Sequence, residues 1–137
     1  MAKRIAILGS TGSIGTSALE VISVLGSGYE LVALSARENI ELLEEQCRRF
    51  RPKVAAVADP HKARQFQTAM KNFGGRILSG PEGLVEIASL PEVDIVLTAV
   101  VGAAGLPAVL AAAKCGKTLA IANKEPLVVA GKLLTET

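Results

Sequence analysis

One stretch near the amino terminus, Gly9-Ser10-Thr11-Gly12-Ser13-Ile14-Gly15, constrains this chain more than any other. It follows the apolar run Ile5-Ala6-Ile7-Leu8 and precedes a helical apolar pattern that begins near Ser13. A strand, a glycine turn and a helix in that order make a phosphate cradle. Gly9 permits a tight turn, Gly12 lets the backbone approach a pyrophosphate, and Gly15 lets the helix pack close to the strand. The start of the helix then offers free N–H groups and the positive end of its dipole to an anion. The hydroxyls of Ser10, Thr11 and Ser13 are further donors to phosphate oxygens. An ordinary glycine-rich turn has the same local pattern, so the rest of the chain must decide between them.

The 137 residues, 50% of them hydrophobic, suffice for one domain with a sizeable core. A net charge of +2 from 15 basic and 13 acidic residues, with no basic block, gives no support for nucleic acid as a partner and favours a small molecule. Cys47 and Cys115 lie far apart within apolar helical patterns and read as buried free thiols. Met1-Ala2-Lys3-Arg4 runs into too few apolar residues for a secretory signal, which makes a cytoplasmic protein the expectation. The uncharged stretch Ile95 to Ala113 approaches the length of a membrane span. Gly102, Gly105 and Pro107 interrupt it, and a buried strand followed by an alanine-rich helix has the same hydropathy, so no membrane segment is expected.

Taken in order, the chain alternates. The first helix, Ser13 to Leu25, is expected to cover the sheet with Ile14, Ala18, Val21, Ile22 and Leu25. Glu30 to Ser35 reads as a second strand, and Asn39 as the cap of a helix carrying Ile40, Leu43, Cys47 and Phe50 on one face. Val54 to Val57 is a third strand; Asp59-Pro60 opens a helix with the stripe Ala63, Phe66, Met70 and Phe73. His61, the sole histidine, falls in that helix's exposed first turn and is assigned no catalytic role. Arg76 to Leu78 and Val93 to Val100 read as strands, with a short helix from Pro81 to Ser89 between them. Leu106 to Cys115 reads as a helix closed by Gly116, Thr118 to Ala122 as the last strand, and roughly Lys124 to Thr135 as a final helix capped by Asn123.

Such alternation, without repeats or long linkers, implies an α/β domain with a doubly wound, mostly parallel sheet of the Rossmann-like kind. Ligands in these sheets bind at the carboxyl ends of the strands, and that rule gathers Gly9 to Gly15, Ser35 to Asn39, Ala99 to Gly102 and Asn123 to Glu125 at one edge. The residue after the second strand meets the adenosine ribose, where an acid favours a free 2′-hydroxyl and a basic group a 2′-phosphate. Arg37 is suited to fork onto a phosphate or to stack on adenine, and Glu38 points the other way.

The residues GSTGSIG, VGAAGLPAVLAAAKCGK (Val101 to Lys117) and IANKEPLVVAG (Ile121 to Gly131), in that order, resemble the 1-deoxy-D-xylulose 5-phosphate reductoisomerase family over essentially the whole chain. The resemblance implies a domain that binds NADPH, within an enzyme that uses a divalent metal, magnesium or manganese, to rearrange and reduce 1-deoxyxylulose 5-phosphate to 2-C-methylerythritol 4-phosphate in non-mevalonate isoprenoid synthesis. Carried over by motif, Thr11, Gly12, Ser13 and Ile14 match residues that hold the pyrophosphate, and Asn39 an adenosine-side contact. Asn123 and Glu125 match cofactor contacts, and Lys124 the lysine that touches the substrate's reacting oxygens. A plain surface lysine in a first helical turn would be disfavoured by the dipole, which also points to a purpose for Lys124.

This chain departs from the family pattern by having Arg37 and then Glu38 before the asparagine, where the family commonly has glycine and then a basic residue. Family members also continue into metal-binding carboxylates, a mobile substrate loop and a helical carboxyl-terminal domain. Residues 1–137 are therefore expected to be the NADPH-binding domain alone, which binds cofactor without turning over substrate, while the full enzyme is expected to be a homodimer. The competing readings are a domain of another nicotinamide-dependent reductase and a non-catalytic module that senses nucleotide.

Overall fold

The computed structural model describes residues 3–100 and 105–121 of the chain. The strands are β1 (Lys3–Leu8), β2 (Tyr29–Ala36), β3 (Val54–Val57), β4 (Arg76–Ser79), β5 (Ile95–Thr98) and β6 (Thr118–Ile121). The helices are α1 (Ser13–Leu25), α2 (Ile40–Phe50), α3 (Pro60–Ala69), α4 (Gly80–Ser89) and α5 (Leu106–Lys114). All six strands pair in parallel, in the order β4-β3-β2-β1-β5-β6. The chain thus builds outward from β1 in one direction as far as β4, then returns to the other side of β1 for β5.

Two cores result, one on each face. Ile5 and Ile7 of β1 face Leu19 of α1, Leu43 and Cys47 of α2, and Phe66 of α3 in one cluster. Ala6 and Leu8 face Leu84 and Ile87 of α4 and Ala108, Val109 and Ala112 of α5 in the other. Continuous apolar strands such as Val54-Ala55-Ala56-Val57 are required because both of their faces are covered. The pairing of β1 with β2 shifts register between Ile5 and Ala6, so one residue of β2 is left over there.

Local chemistry sets the helix starts. Asn39 Oδ1 accepts from the N–H of Leu42 at 3.2 Å, and Asp59 Oδ1 from the N–H groups of His61 and Lys62 at 2.9 and 3.2 Å, with Pro60 in the first turn. The C-terminal end of α2 closes on Arg51 in the left-handed region at φ 50°, where its N–H bonds Cys47 O.

Three expectations from the sequence need correction. The face of α1 that meets the sheet runs through Gly15, Ala18, Leu19 and Ile22, while Val21 and Leu25 stand 58% and 53% exposed. Gly15, lacking a side chain, draws the first turn of α1 onto the backbone of Gly9 and Ser10, and this contact sets the rotation of the helix. Cys115 is exposed, because α5 ends at Lys114 and Cys115 lies in the turn that Gly116 reverses at φ 72°. Cys47 is buried, and burial, aided by Glu44, pushes its thiol up to about 12. The third concerns Val93 and Asp94, which precede β5: the N–H of Val93 turns back to Leu90 O at 3.1 Å, and the Asp94 carboxylate is taken by Arg4. Met70 and Phe73 pack as expected, beyond the end of α3. The expected helix from Lys124 to Thr135 lies outside the described residues.

Among the described residues no helix is long and apolar enough to cross a membrane. The uncharged stretch that begins at Ile95 divides into β5 and α5.

Candidate functional site

The sheet reverses its direction of growth between β1 and β5, and the loops after those two strands meet there. A side chain at Gly9 (φ 84°) would stand 3.2 Å from the Ala99 carbonyl carbon and 3.3 Å from Val100 Cγ2, so only glycine lets the loops approach this closely. At Gly15 the same construction brings a Cβ within 2.2 Å of Gly9 O and 2.7 Å of Ser10 Cα. Gly12 differs, since its Cβ position meets only Gly9 O at 3.9 Å and otherwise faces open space. Two glycines therefore close the loop onto the fold, and the third keeps it open to a visitor.

No side chain caps α1, whose N-cap is Gly12 and whose first turn holds no acid. The first intrahelical bond runs from the Thr16 N–H to Gly12 O at 2.8 Å, so the N–H groups of Ser13, Ile14 and Gly15 precede the ladder. Gly12 and Ser13 are exposed, and Thr11 and Ile14 are partly so. These donors and the dipole suit an oxyanion with no change in the protein.

Behind the loop lies a buried polar cluster. The N–H of Gly9 donates to Ser35 O at 3.1 Å and to Ser35 Oγ at 3.0 Å, and the N–H of Ser10 donates to Ser35 O at 2.8 Å. Ser10 Oγ donates to Gln46 Oε1 at 2.7 Å, and Gln46 Nε2 donates to Ser10 O at 2.8 Å. Ser10 is fully buried, which corrects its expected part in phosphate binding: its hydroxyl turns away from the open side of the loop. Gln46 was missed in the sequence because it follows Glu44-Glu45 and reads as part of a solvated face. Its place beside Cys47 in the second turn of α2, on the side of Leu43, was the available signal.

At the end of β2, Arg37, Glu38 and Asn39 are all exposed. The backbone there is held by the N–H of Asp59 donating to Arg37 O at 3.0 Å. Neither Arg37 nor Glu38 makes an ion pair among the described residues. Asn39 spends its side-chain oxygen on capping α2, which leaves its amide nitrogen for a ligand. The register places Leu8 beside Ser35 and Thr98, so the loops after β1, β2 and β5 share one edge. Asn123, Lys124 and Glu125 lie outside the described residues. His61 is exposed, and its ring meets only the Gln65 amide, at 3.2 Å.

A cavity of about 950 Å³ opens at the opposite edge, between the ends of α2 and α3, lined among others by Cys47, Arg51, Lys53, Met70 and Lys71. The cations at the end of α2 there, Arg48 and Arg51, are accounted for by the negative end of that helix, and the described cofactor candidates, Thr11 to Ile14 and Arg37 to Asn39, do not line it. Among the described residues no group of three or more His, Cys, Asp and Glu side chains could hold a metal ion.

A glycine cradle and an uncapped helix at the point where a parallel sheet reverses define a doubly wound, dinucleotide-binding type of α/β domain. Residues 5–131 match the family model of 1-deoxy-D-xylulose 5-phosphate reductoisomerase, and the chain belongs to that family. The reductoisomerase of Methylococcus capsulatus is 52% identical over 134 residues, 96% of this chain and 34% of the relative. That of Halothermothrix orenii is 43% identical over 134 residues, 98% of this chain and 35% of the relative. Among solved structures, DOX-P reductoisomerase in complex with magnesium superposes with a TM-score of 0.86 at 41% identity, over 99% of this chain and 34% of the other. The Zymomonas mobilis reductoisomerase in complex with NADPH gives 0.85 at 38%, over 98% and 35%. The chain thus spans about a third of the length of the relatives it matches.

Proposed function

We propose that residues 1–137 form the NADPH-binding domain of a reductoisomerase that converts 1-deoxy-D-xylulose 5-phosphate to 2-C-methyl-D-erythritol 4-phosphate in isoprenoid synthesis. The observation that carries the reading is the open cradle at Gly12, joined to the uncapped start of α1 at the reversal point of the sheet. The N–H groups of Thr11 to Ile14 hold the pyrophosphate, Arg37 receives the 2′-phosphate, and Asn39 binds on the adenosine side through its free amide. Asn123 and Glu125 follow β6 in sequence and complete the cofactor contacts, with Lys124 reaching the substrate. Bound NADPH supplies the hydride; the chain's own residues bind and orient it.

The magnesium-bound relative supports a divalent metal in the whole enzyme. The described residues do not fit one, because they bring no three His, Cys, Asp or Glu side chains together to hold it. The whole enzyme is a cytoplasmic homodimer in this reading, with the phosphorylated sugar as its small-molecule substrate.

The test is titration of NADPH and NADH against the wild type and Arg37→Ala. NADPH binds more tightly to the wild type, and losing one charge-assisted contact shrinks that preference by about one to two powers of ten. Equal affinities in the wild type would mean that Glu38 holds the ribose hydroxyl and that the cofactor assignment is wrong.

A further inference from the structure

Gln46 makes a two-point contact with a single loop residue. Its Oε1 accepts from the Ser10 hydroxyl at 2.7 Å while its Nε2 donates to the Ser10 carbonyl at 2.8 Å. The reverse orientation of the amide would set two oxygens against each other at the carbonyl, so chemistry fixes the assignment. Gln46 is 5% exposed and Ser35 1%, and no buried side-chain polar atom among the described residues lacks a partner. Every buried side-chain polar atom of the cluster therefore has a partner, and a buried polar network so paired makes a structure rigid.

The consequence falls on the loop. The Ser10 N–H is held by Ser35 O at 2.8 Å and the Ser10 carbonyl by Gln46, so the peptide planes on both sides of Ser10 are fixed. A peptide is planar and trans, so the Thr11 N–H points opposite to the Ser10 carbonyl. With that carbonyl turned inward to Gln46, the Thr11 N–H is turned outward, and it donates to no backbone carbonyl among the described residues. Ser35 is also the residue two before Arg37, so the same cluster ties the glycine loop to the ribose corner.

We infer that Gln46 is a positioning residue for cofactor binding: by holding Ser10 it aims the Thr11 N–H at the pyrophosphate and fixes the spacing between the cradle and the end of β2. This inference rests on the NADPH reading above. Gln46 never touches the cofactor, and its effect is preorganisation, which removes an ordering cost from binding. Neither leucine nor an ionised glutamate can replace it, since each lacks the donor to Ser10 O.

The experiment measures NADPH dissociation constants for wild type, Gln46→Leu, Gln46→Glu and Met70→Ala at pH 5.5, 7 and 8.5, alongside urea midpoints. Gln46→Leu is expected to weaken NADPH about ten- to thirtyfold. Gln46→Glu behaves like leucine at pH 8.5, and its ratio to wild type recovers towards pH 5.5 as the buried carboxyl takes up a proton and regains a donor. Met70→Ala, which hollows the core far from the loop, lowers the urea midpoint but leaves the dissociation constant unchanged. A pH-independent ratio for Gln46→Glu, wild-type affinity in Gln46→Leu, or an equal loss in Met70→Ala would overturn the role of Gln46. A wild type that fails to bind NADPH at all would instead overturn the cofactor reading. If Gln46→Leu does not fold, the pH ratio of Gln46→Glu alone decides.

Discussion

At the carboxyl edge of the sheet the loop after β1 is built of small residues, with Ser10 and Ser35 turned inward, whereas at the amino edge the side chains are long and charged. Gly9, Gly15, Ser10 and Ser35 build the first edge around a buried hydrogen-bonded cluster. At the second, Arg4 grips Asp94 with Nη2 and Nε at 3.1 and 3.2 Å, Lys117 Nζ donates to Leu90 O and Val93 O at 2.5 and 2.6 Å, and Arg51, Lys53 and Lys71 line the cavity. A cavity of about 950 Å³ and these charges thus lie at the edge without nucleotide geometry. The difference teaches that a dinucleotide site is made by withholding side chains: backbone N–H groups become the ligands, and buried polar groups behind them fix their direction.

The sharpest way to break this comparison is to add one methyl group at each edge. Gly15→Ala places a Cβ 2.2 Å from Gly9 O and 2.9 Å from the Ser10 carbonyl carbon, all backbone that cannot step aside. The expected cost is about 3 kcal/mol or more, read from the urea midpoint, together with loss of cofactor binding. Gly74→Ala, at the cavity of the other edge, meets nothing within 4 Å and stays within about 0.5 kcal/mol of wild type. Equal costs would mean that the loop yields and is not the tightly built edge described.

A smaller effect sharpens the other side. The Arg4 guanidinium and N–H, bonding Asp94, hold its carboxyl below the ordinary 3.8. A lowered carboxylate contributes stability at pH values above that ordinary value and loses it as pH falls through the folded one. Asp94→Asn should therefore lower the thermal midpoint slightly at pH 7, and the gap from wild type should close as pH falls below the ordinary 3.8 and through the lowered folded value. The pair is 41% and 43% exposed, and exposed pairs contribute little. A loss as large as that of Gly15→Ala would put the amino edge on an equal footing.

Much of this organisation is legible in the residues. The cradle, the caps Asn39 and Asp59 and the alternation of elements are local signals, each with its own short-range chemistry. What the residues hide is set by packing over distance. Ser10 and Gln46 are 36 positions apart, and taken alone Ser10 reads as a donor to phosphate and Gln46 as part of a solvated face. The face of α1 depends on how closely Gly15 lets the helix approach, which no periodicity reveals when Val21, Ile22, Val24 and Leu25 are all apolar. Cys115 falls one residue past the end of α5, so a small error in the helix boundary reverses its burial.

The carboxyl edge, and not the cavity opposite it, is the expected seat of the dinucleotide. Titrating isotope-labelled chain with NADPH and following each backbone amide tests this directly. Saturable shifts are expected at Gly9 to Gly15 and at Ala36 to Asn39, with the amides of Arg51, Lys53 and Thr68 to Gly75 unmoved. Shifts concentrated at the second set, with Thr11 to Ile14 silent, would contradict it.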